Sequence, residues 1–162
     1  MSSYASQRTS EMIAFMESPV FLSAFTSWFL AQLMKAVIVL LRSPRRSAHE
    51  VTLTLLWKTG GMPSSHSSLV AALATAVAFE EGIGSTVFIV SLCLALIVIR
   101  DSLGVRRSSG LQARTLNRLG GEVSSRFGIE YAPVKEIQGH APLEVVVGAL
   151  MGLFIAVAFA IL

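Results

Sequence analysis

The 162-residue chain is poor in charge and in cysteine. Only 14% of its residues are charged and 53% are hydrophobic, whereas about 25% of the residues of a soluble domain are charged. Because disordered segments are polar, this composition excludes disorder, and it argues against a lone soluble domain. The single cysteine, Cys93, cannot form an intramolecular disulfide. It lies in an apolar run, where we expect a small core residue.

Four apolar stretches approach the length of about 20 residues that a helix needs to cross a bilayer. They are residues 19–41, 64–79, 82–99 and 141–162, of which only 64–79 is short for a span. The N-terminal segment 1–12 is polar and no small-residue cleavage site follows the first run, so we expect that run to be a retained anchor. The pattern predicts a single domain over 1–162, an all-α integral membrane bundle of about four transmembrane helices.

Two long polar connections, 42–63 and 100–140, separate these spans. We expect a charged helical loop from Arg100 to about Phe127, and residues 51–57 either lie on the surface or re-enter the membrane. With four spans, both connections fall on one side, together with every basic residue except Arg8 and Lys35. The positive-inside rule makes that side cytoplasmic, so we predict a multi-pass protein of the cell membrane.

Few ionisable groups lie in or beside the spans, and these are costly there unless they pair or function. His66 and His140 open two predicted helices from the same side of the membrane. Lys35 lies about two turns, roughly 9–10 Å, before the cytoplasmic end of the first span, and its long side chain can reach that end. We therefore predict that these three side chains converge at the cytoplasmic face.

The stretch GGMPSSHSS (60–68) has the pattern of a helix start. Pro63 suits the first turn of a helix, and Ser64 or Ser65 suits the N-cap. The free N–H groups and the positive dipole end of such a helix bind anions, and His66 would lie beside a bound phosphate. The alternative is a capped helix start with an interfacial histidine.

The segment His140-Ala-Pro-Leu-Glu144 places an imidazole and a carboxylate four residues apart. On a helix these positions share a face, so the carboxylate can accept the Nδ1–H and leave Nε2 as a nucleophile or base. A buried hydrogen-bonded pair is the alternative. Since His66, His140, Glu144 and Asp101 lack a familiar metal-ligand spacing, we expect no metal.

Two adjacent arginines, Arg106 and Arg107, follow Asp101 at the exit of the third span. Arginine binds phosphate oxygens through two parallel hydrogen bonds. Adjacent positions on a helix diverge, so we expect at most one of the two to contact a substrate. The alternative is a basic helix in contact with solvent or lipid headgroups, and Gln112 and Asn117 either support a site or lie on the surface.

Together, four stretches resemble the type-2 phosphatidic-acid phosphatase superfamily, which includes vanadium-dependent haloperoxidases, and more closely its small divergent membrane branch. They are QLMK (32–35), GGMPSSHSS (60–68), DSLGVRRSSGLQARTLN (101–117) and GHAPLEVVVGALMG (139–152). This branch has about four spans, whereas membrane members of the parent family typically have six. The resemblance therefore implies a compact all-helical membrane protein.

The three motifs of the parent superfamily are K-x6-R-P, P-S-G-H and S-R-x5-H-x3-D. This chain matches them with small departures, as Lys35-x6-Arg42-Ser-Pro44, Pro63-Ser64-Ser65-His66 and His140-x3-Glu144. Pro133-Val134 stand where the S-R pair would be. Arg106, Arg107 and Arg126 are candidates to replace that arginine in space.

The resemblance implies a metal-independent phosphatase without a cofactor. His140 would attack phosphorus, Glu144 would orient it, and His66 would protonate the leaving alkoxide. The implied substrate-binding residues are Lys35, Arg42, Ser64, Ser65, Asp101, Arg106 and Arg107. The expected partners are membrane lipids and a lipid phosphate, with no nucleic acid. The substrate would be a phospholipid monophosphate, such as phosphatidylglycerophosphate or phosphatidate, or a polyprenyl (di)phosphate.

Two alternatives use the same residues differently. A non-catalytic membrane protein could keep the pocket to bind lipid headgroups or a partner, and the missing S-R pair favours that interpretation. A haloperoxidase could hold vanadate in the phosphate pocket, although the apolar spans argue against it.

The predicted topology can be tested with reporter fusions. We expect a reporter at the C-terminus to give the signal of an external position, because four spans return the chain to the side on which it began. A fusion at Arg118, within the basic connection, is the control and is expected to report the cytoplasm. A cytoplasmic signal from the C-terminus would contradict the four-span arrangement.

Overall fold

The computed structural model describes residues 2–42, 61–136 and 139–162. These residues form six helices and no strand. The helices are α1 (Ser2–Glu17), α2 (Pro19–Arg42), α3 (Ser65–Glu81), α4 (Thr86–Leu103), α5 (Val105–Phe127) and α6 (Pro142–Ile161). The all-α prediction is confirmed, and α1 is an addition, because the polar N-terminal segment gave no reason to expect a helix. Residues 51–57, the predicted surface or re-entrant segment, lie outside the described residues.

Three stretches of the described chain are long and apolar enough to cross a membrane. They are Pro19–Leu41, Thr86–Phe127, whose apolar part is α4, and Pro142–Ile161. Helix α3 has 17 residues, close to the lower limit for a span, and it packs against α2, α4 and α6. The protein is therefore a membrane helical bundle with α3 at its centre, and a crossing by α3 itself stays a prediction.

Small side chains allow α3 to occupy the centre of the bundle. Ala72, Ala74 and Ala76 are buried, as expected of residues that let membrane helices approach closely. Ala72 and Ala76 form one buried cluster with Ala156 of α6, and Ala74 forms another with Val70 and with Ala95 of α4. The alanine-rich stretch is thus a packing surface on two sides of one helix.

The closest helix contact is between α6 and the start of α3. Gly148 lies against the backbone of Ser64, and Gly152 lies against the backbone of Ser68. A Cβ atom at either glycine would collide with the carbonyl oxygen of the facing serine. The Gly-x-x-x-Gly pattern therefore serves backbone-to-backbone packing, the use that this spacing predicts.

The connection after the third span contains the predicted helix, with an interruption. Helix α4 continues beyond Ile99 to Leu103, and Gly104 leaves helical geometry with φ −102° and ψ −82° before α5 begins. Helix α5 ends at Gly128, whose positive φ of 66° is the left-handed C-cap that glycine adopts readily. Residues 128–136 are not helical and run back along α5.

Cys93 differs from the expectation of a core position, since its side chain is exposed on α4. Helix α4 buries only one side, through Ser91, Ala95 and Ser102. Its other sides carry exposed valine, leucine and isoleucine. An apolar run in a membrane helix faces lipid as readily as protein. The apolar neighbours of Cys93 in the sequence therefore did not show whether its side chain is buried.

The α3–α6 contact can be tested with Gly148→Ala. The added methyl group meets backbone rather than a flexible side chain, so the helices must separate, and overpacking of this kind costs roughly 1–3 kcal/mol. We expect a lower midpoint of thermal unfolding in detergent. Gly84→Ala is the matched control, because a Cβ there meets nothing within 4 Å. Equal midpoints for the two variants would contradict the contact.

Candidate active site

The first turn of α3 is held by serine hydroxyls. Ser64 is the N-cap, and its Oγ accepts hydrogen bonds from the N–H of Ser67 at 3.3 Å and from the Ser67 hydroxyl at 2.9 Å. The Ser64 N–H donates to the carbonyl oxygen of Glu144 at 2.9 Å. Of the two predicted caps, Ser64 is the one used. The same residue fixes the start of α3 against the start of α6.

Lys35 points to this helix start, in agreement with the predicted convergence. Its Nζ donates a hydrogen bond to Ser65 Oγ at 3.1 Å, and the residue is only 4% exposed. Deeper in the bundle, the hydroxyls of Ser27 and Ser68 are 2.6 Å apart and set the register of α2 against α3. This register helps to bring Lys35 opposite Ser65. A buried cation therefore lies beside the N-terminus of α3, where an anion is favoured.

His140 is buried between the bundle and α5, with 1% of its surface exposed. Its backbone N–H donates to the carbonyl oxygen of Ser102 at 3.4 Å. The neighbouring Gly139 packs against the backbone of Arg107, where any side chain would collide. Neither ring nitrogen of His140, nor Nδ1 of His66, has a hydrogen-bond partner within the described chain. Such unpaired buried groups are rare and point to strain, catalysis or an absent ligand.

The surroundings of His140 favour its neutral form. Burial, followed by the positive charges of Lys35, His66 and Arg106, lowers the pKa of His140 to about 4. Lys35, His66 and Arg106 therefore lie close enough to act on this imidazole. A neutral imidazole near pH 7 has a free lone pair on one nitrogen, which is the form that acts as nucleophile or base.

Glu144 has a different partner from the one that its spacing suggests. Its Oε2 accepts a hydrogen bond from the backbone N–H of Ala141 at 3.1 Å. The reason is that α6 begins at Pro142, so His140 lies before the helix and the i, i+4 relation does not apply. Glu144 occupies the third helical position, from which a glutamate reaches back to the N-cap N–H.

The adjacent arginines diverge, as expected. Arg106 pairs with Asp101, with Nε and Oδ2 2.6 Å apart, and acts on His140. Arg107 instead lines a cavity of about 420 Å³ with Arg114, Gly139 and other residues. Its lining within residues 61–136 and 139–162 is Gly61, Arg107, Gly110, Leu111, Arg114, Gly139, Ala141 and Glu144. Asp101 thus orients Arg106 through their ion pair.

The other residues that were expected to bind phosphate have different roles or positions in the structure. Ser65 holds Lys35, and Ser64 is occupied as the helix cap. The side chain of Arg42 lies outside the described part of the chain. Arg126 is 20 residues along α5 from Arg106, a distance of roughly 30 Å at 1.5 Å per residue. Arg126 is therefore too far along α5 to replace the missing arginine, which leaves Arg106 and Arg107 as the candidates.

Asn117 was the most important residue that sequence reasoning left undecided. Its Nδ2 donates to the carbonyl oxygen of Val134 at 2.9 Å and to Glu136 Oε1 at 3.1 Å. Its Oδ1 accepts from the Val134 N–H and the Tyr131 hydroxyl, both at 2.8 Å. We call this group of bonds the Asn117 clasp. It returns the chain along α5 toward Gly139 and His140, and a lone asparagine on an amphipathic helix was the signal for it.

Ser102 and Gly139 position His140 through backbone contacts that leave no side-chain pattern. Within the described ranges, no group of three histidine, cysteine, aspartate or glutamate side chains is placed to hold a metal ion. The groups whose charge acts on His140 are instead two cations, Lys35 and Arg106, and a second imidazole, His66.

These features define an all-helical membrane protein in which two histidines lie beside the N-terminus of a central helix. The profile of the Divergent PAP2 family matches residues 16–155, and the chain belongs to this family. It is also similar to the uncharacterized membrane protein YuiD of Bacillus subtilis (strain 168). The two are 36% identical over 151 residues, which cover 86% of this chain and 92% of the relative. No solved structure matches the chain significantly.

The protonation state of His140 can be measured directly by nuclear magnetic resonance on protein with nitrogen-labelled histidine. Because burial and nearby cations lower its pKa to about 4 from the usual 6.5, we expect its ring to stay neutral as the pH falls through 6.5 and to take up a proton only near pH 4. The His140→Gln variant identifies the signal by removing it. A midpoint near 6.5 would show that the ring is not enclosed as described.

Proposed function

We propose that the protein is a metal-independent lipid-phosphate phosphatase that acts through a phosphohistidine intermediate. The observation that carries the proposal is the buried imidazole of His140, whose ring nitrogens have no hydrogen-bond partner in the described residues and which lies near Lys35, Arg106 and the N-terminus of α3. A nucleophile, two cations and a helix dipole are the groups that phosphoryl transfer requires. Membership of the Divergent PAP2 family supports the same reaction class.

In the first step, one ring nitrogen of His140 attacks phosphorus, and the bond from phosphorus to the alkoxide oxygen of the lipid breaks. His66 donates a proton to that oxygen, so the lipid leaves as an alcohol. In the second step, His66 accepts a proton from water, the water oxygen attacks phosphorus, and the phosphorus–nitrogen bond breaks. Inorganic phosphate is released and His140 returns to its neutral form.

Lys35, Ser65 and Arg106 are the groups that hold the phosphate oxygens in this mechanism. The Ser65 oxygen accepts the bond from Lys35, so its own hydroxyl hydrogen is free to donate to phosphate. Arg106 uses Nε for Asp101, which leaves its terminal N–H groups for a second oxygen. Charge that spreads over the equatorial oxygens in the transition state is thereby stabilised by donors fixed beforehand.

The substrate that fits this proposal is a membrane phosphomonoester such as phosphatidylglycerophosphate or phosphatidate, with a polyprenyl (di)phosphate as a further candidate. The groups of the site lie at the ends of apolar helices: Lys35 near the end of α2, His66 at the start of α3 and Glu144 at the start of α6. At that level the phosphate of a bilayer lipid lies beside protein rather than in bulk water. We place this side in the cytoplasm because the basic connections share it.

The second candidate is a non-catalytic protein that binds lipid headgroups or a partner. The bond of Glu144 to the Ala141 N–H favours it, because no carboxylate holds the imidazole of His140 in the described residues. A carboxylate partner fixes the tautomer and stabilises the imidazolium in many histidine-dependent enzymes. Under this candidate, lipid phosphate binds and no phosphate is released.

Phosphate release from a panel of lipid phosphates by the purified protein tests the proposal. We expect His140→Asn to reduce release to background, and His66→Asn to reduce it by about 10²- to 10⁴-fold, the usual contribution of a general acid. Arg118→Gln on the exposed surface of α5 is the control and is expected to keep wild-type release.

Rapid quenching with radiolabelled lipid separates the two candidates. We expect acid-labile, alkali-stable label on the wild-type protein and none on His140→Asn, since phosphohistidine has that stability. Binding of lipid phosphate without label or turnover would favour the non-catalytic protein. Undiminished turnover in His140→Asn would contradict the assigned nucleophile.

A further inference from the structure

Helix α5 carries an exposed apolar stripe on its C-terminal half. The stripe consists of Leu116, Leu119, Val123 and Phe127, which are between 45% and 72% exposed. At 3.6 residues per turn these positions fall within an arc of roughly 80°. A contiguous exposed apolar surface of this kind marks an interaction with a membrane or another protein.

The opposite side of α5 is basic. Arg107, Arg114 and Arg118 lie roughly 160° from the centre of the stripe at 100° per residue. With Arg106 and Arg126, the helix contains five arginines against the single carboxylate of Glu122, a net charge of +4. Two arginines of this side, Arg107 and Arg114, line the cavity that Glu144 also faces.

A third part of the helix surface is covered by the chain itself. The Asn117 clasp holds residues 131–136 there, and the Tyr131 ring lies where a side chain at Gly120 would be. Asn117 lies roughly 120° from the centre of the stripe, so the returning segment packs beside the stripe and leaves it open. Within the described ranges, the stripe is therefore an apolar surface of α5 that the returning segment does not cover.

We infer that α5 lies along the membrane interface, with this stripe among the acyl chains of an anionic phospholipid leaflet. Helix α4 exposes valine, leucine and isoleucine side chains and is separated from α5 only by Gly104, so α5 begins where the apolar span ends. An amphipathic helix with a strongly charged second side binds at the level of the headgroups in this orientation.

The charge of α5 selects the lipid interface over a second copy of the chain. Two copies of a helix of net charge +4 offer each other no opposite net charge when their stripes are paired. Anionic headgroups instead attract each nearby arginine by about 1 kcal/mol. Arg126, adjacent to the stripe, and Arg106, on the flank that leads to the site, are placed to reach headgroups. This docking goes beyond the proposed phosphatase activity and does not depend on it.

Fluorescent labels on single cysteines test the docking in the full-length protein. In a Cys93→Ser background, Leu119→Cys and Val123→Cys place the label on the stripe, and Arg118→Cys and Ser125→Cys place it on the opposite side. Each protein is reconstituted into vesicles of phosphatidylcholine and phosphatidylglycerol whose acyl chains are brominated. The two pairs control each other, because all four labels sit on the same helix.

We expect brominated lipid to quench the stripe labels several-fold more strongly than the other pair, and aqueous iodide to show the reverse order. We also expect stripe quenching to fall when phosphatidylglycerol is replaced by phosphatidylcholine or when salt is raised. Equal access of iodide to all four labels would overturn the inference in favour of a helix in water. Self-quenching of stripe labels that rises with the protein-to-lipid ratio, without an effect of bromine, would overturn it in favour of a second copy.

Discussion

The candidate site depends on the close packing of α6 against the first turn of α3. Gly148 and Gly152 bring the backbones of the two helices together, and the Ser64 N–H bonds to the carbonyl oxygen of Glu144. This contact places the segment before α6, which carries His140, next to the segment that begins α3, which carries His66. Since the two histidines are 74 residues apart in the sequence, backbone packing of small residues is what makes them neighbours.

Helices α2 to α6 and the convergence of Lys35 on α3 followed from the sequence because each has a local physical signal. Apolar runs of membrane-spanning length, a proline–serine helix start and a lone lysine in an apolar run are readable one segment at a time. The Gly-x-x-x-Gly spacing of α6 is likewise typical of a packing surface. Its partner, the serine backbone of α3, carried no pattern of its own.

The parts that could not be predicted depend on where one helix begins or on backbone contacts between distant segments. The spacing of His140 and Glu144 suggested one helical surface, but the helix begins between them at Pro142, and the carboxylate caps it. The position of His140 against Ser102 and Arg107 is set through main-chain atoms, which any residue supplies. Asn117 joins two segments through four hydrogen bonds, and polarity alone did not reveal its partners.

The buried bond between Lys35 and Ser65 has a consequence for how the protein is placed in the membrane. An ammonium group within an apolar helix is costly until it is paired, and the hydroxyl that accepts the hydrogen bond of Lys35 arrives only with α3. The serine pair of Ser27 and Ser68 links the same two helices by a second polar contact. The final position of α2 in the membrane therefore depends on α3, which supplies the polar partners of both Lys35 and Ser27.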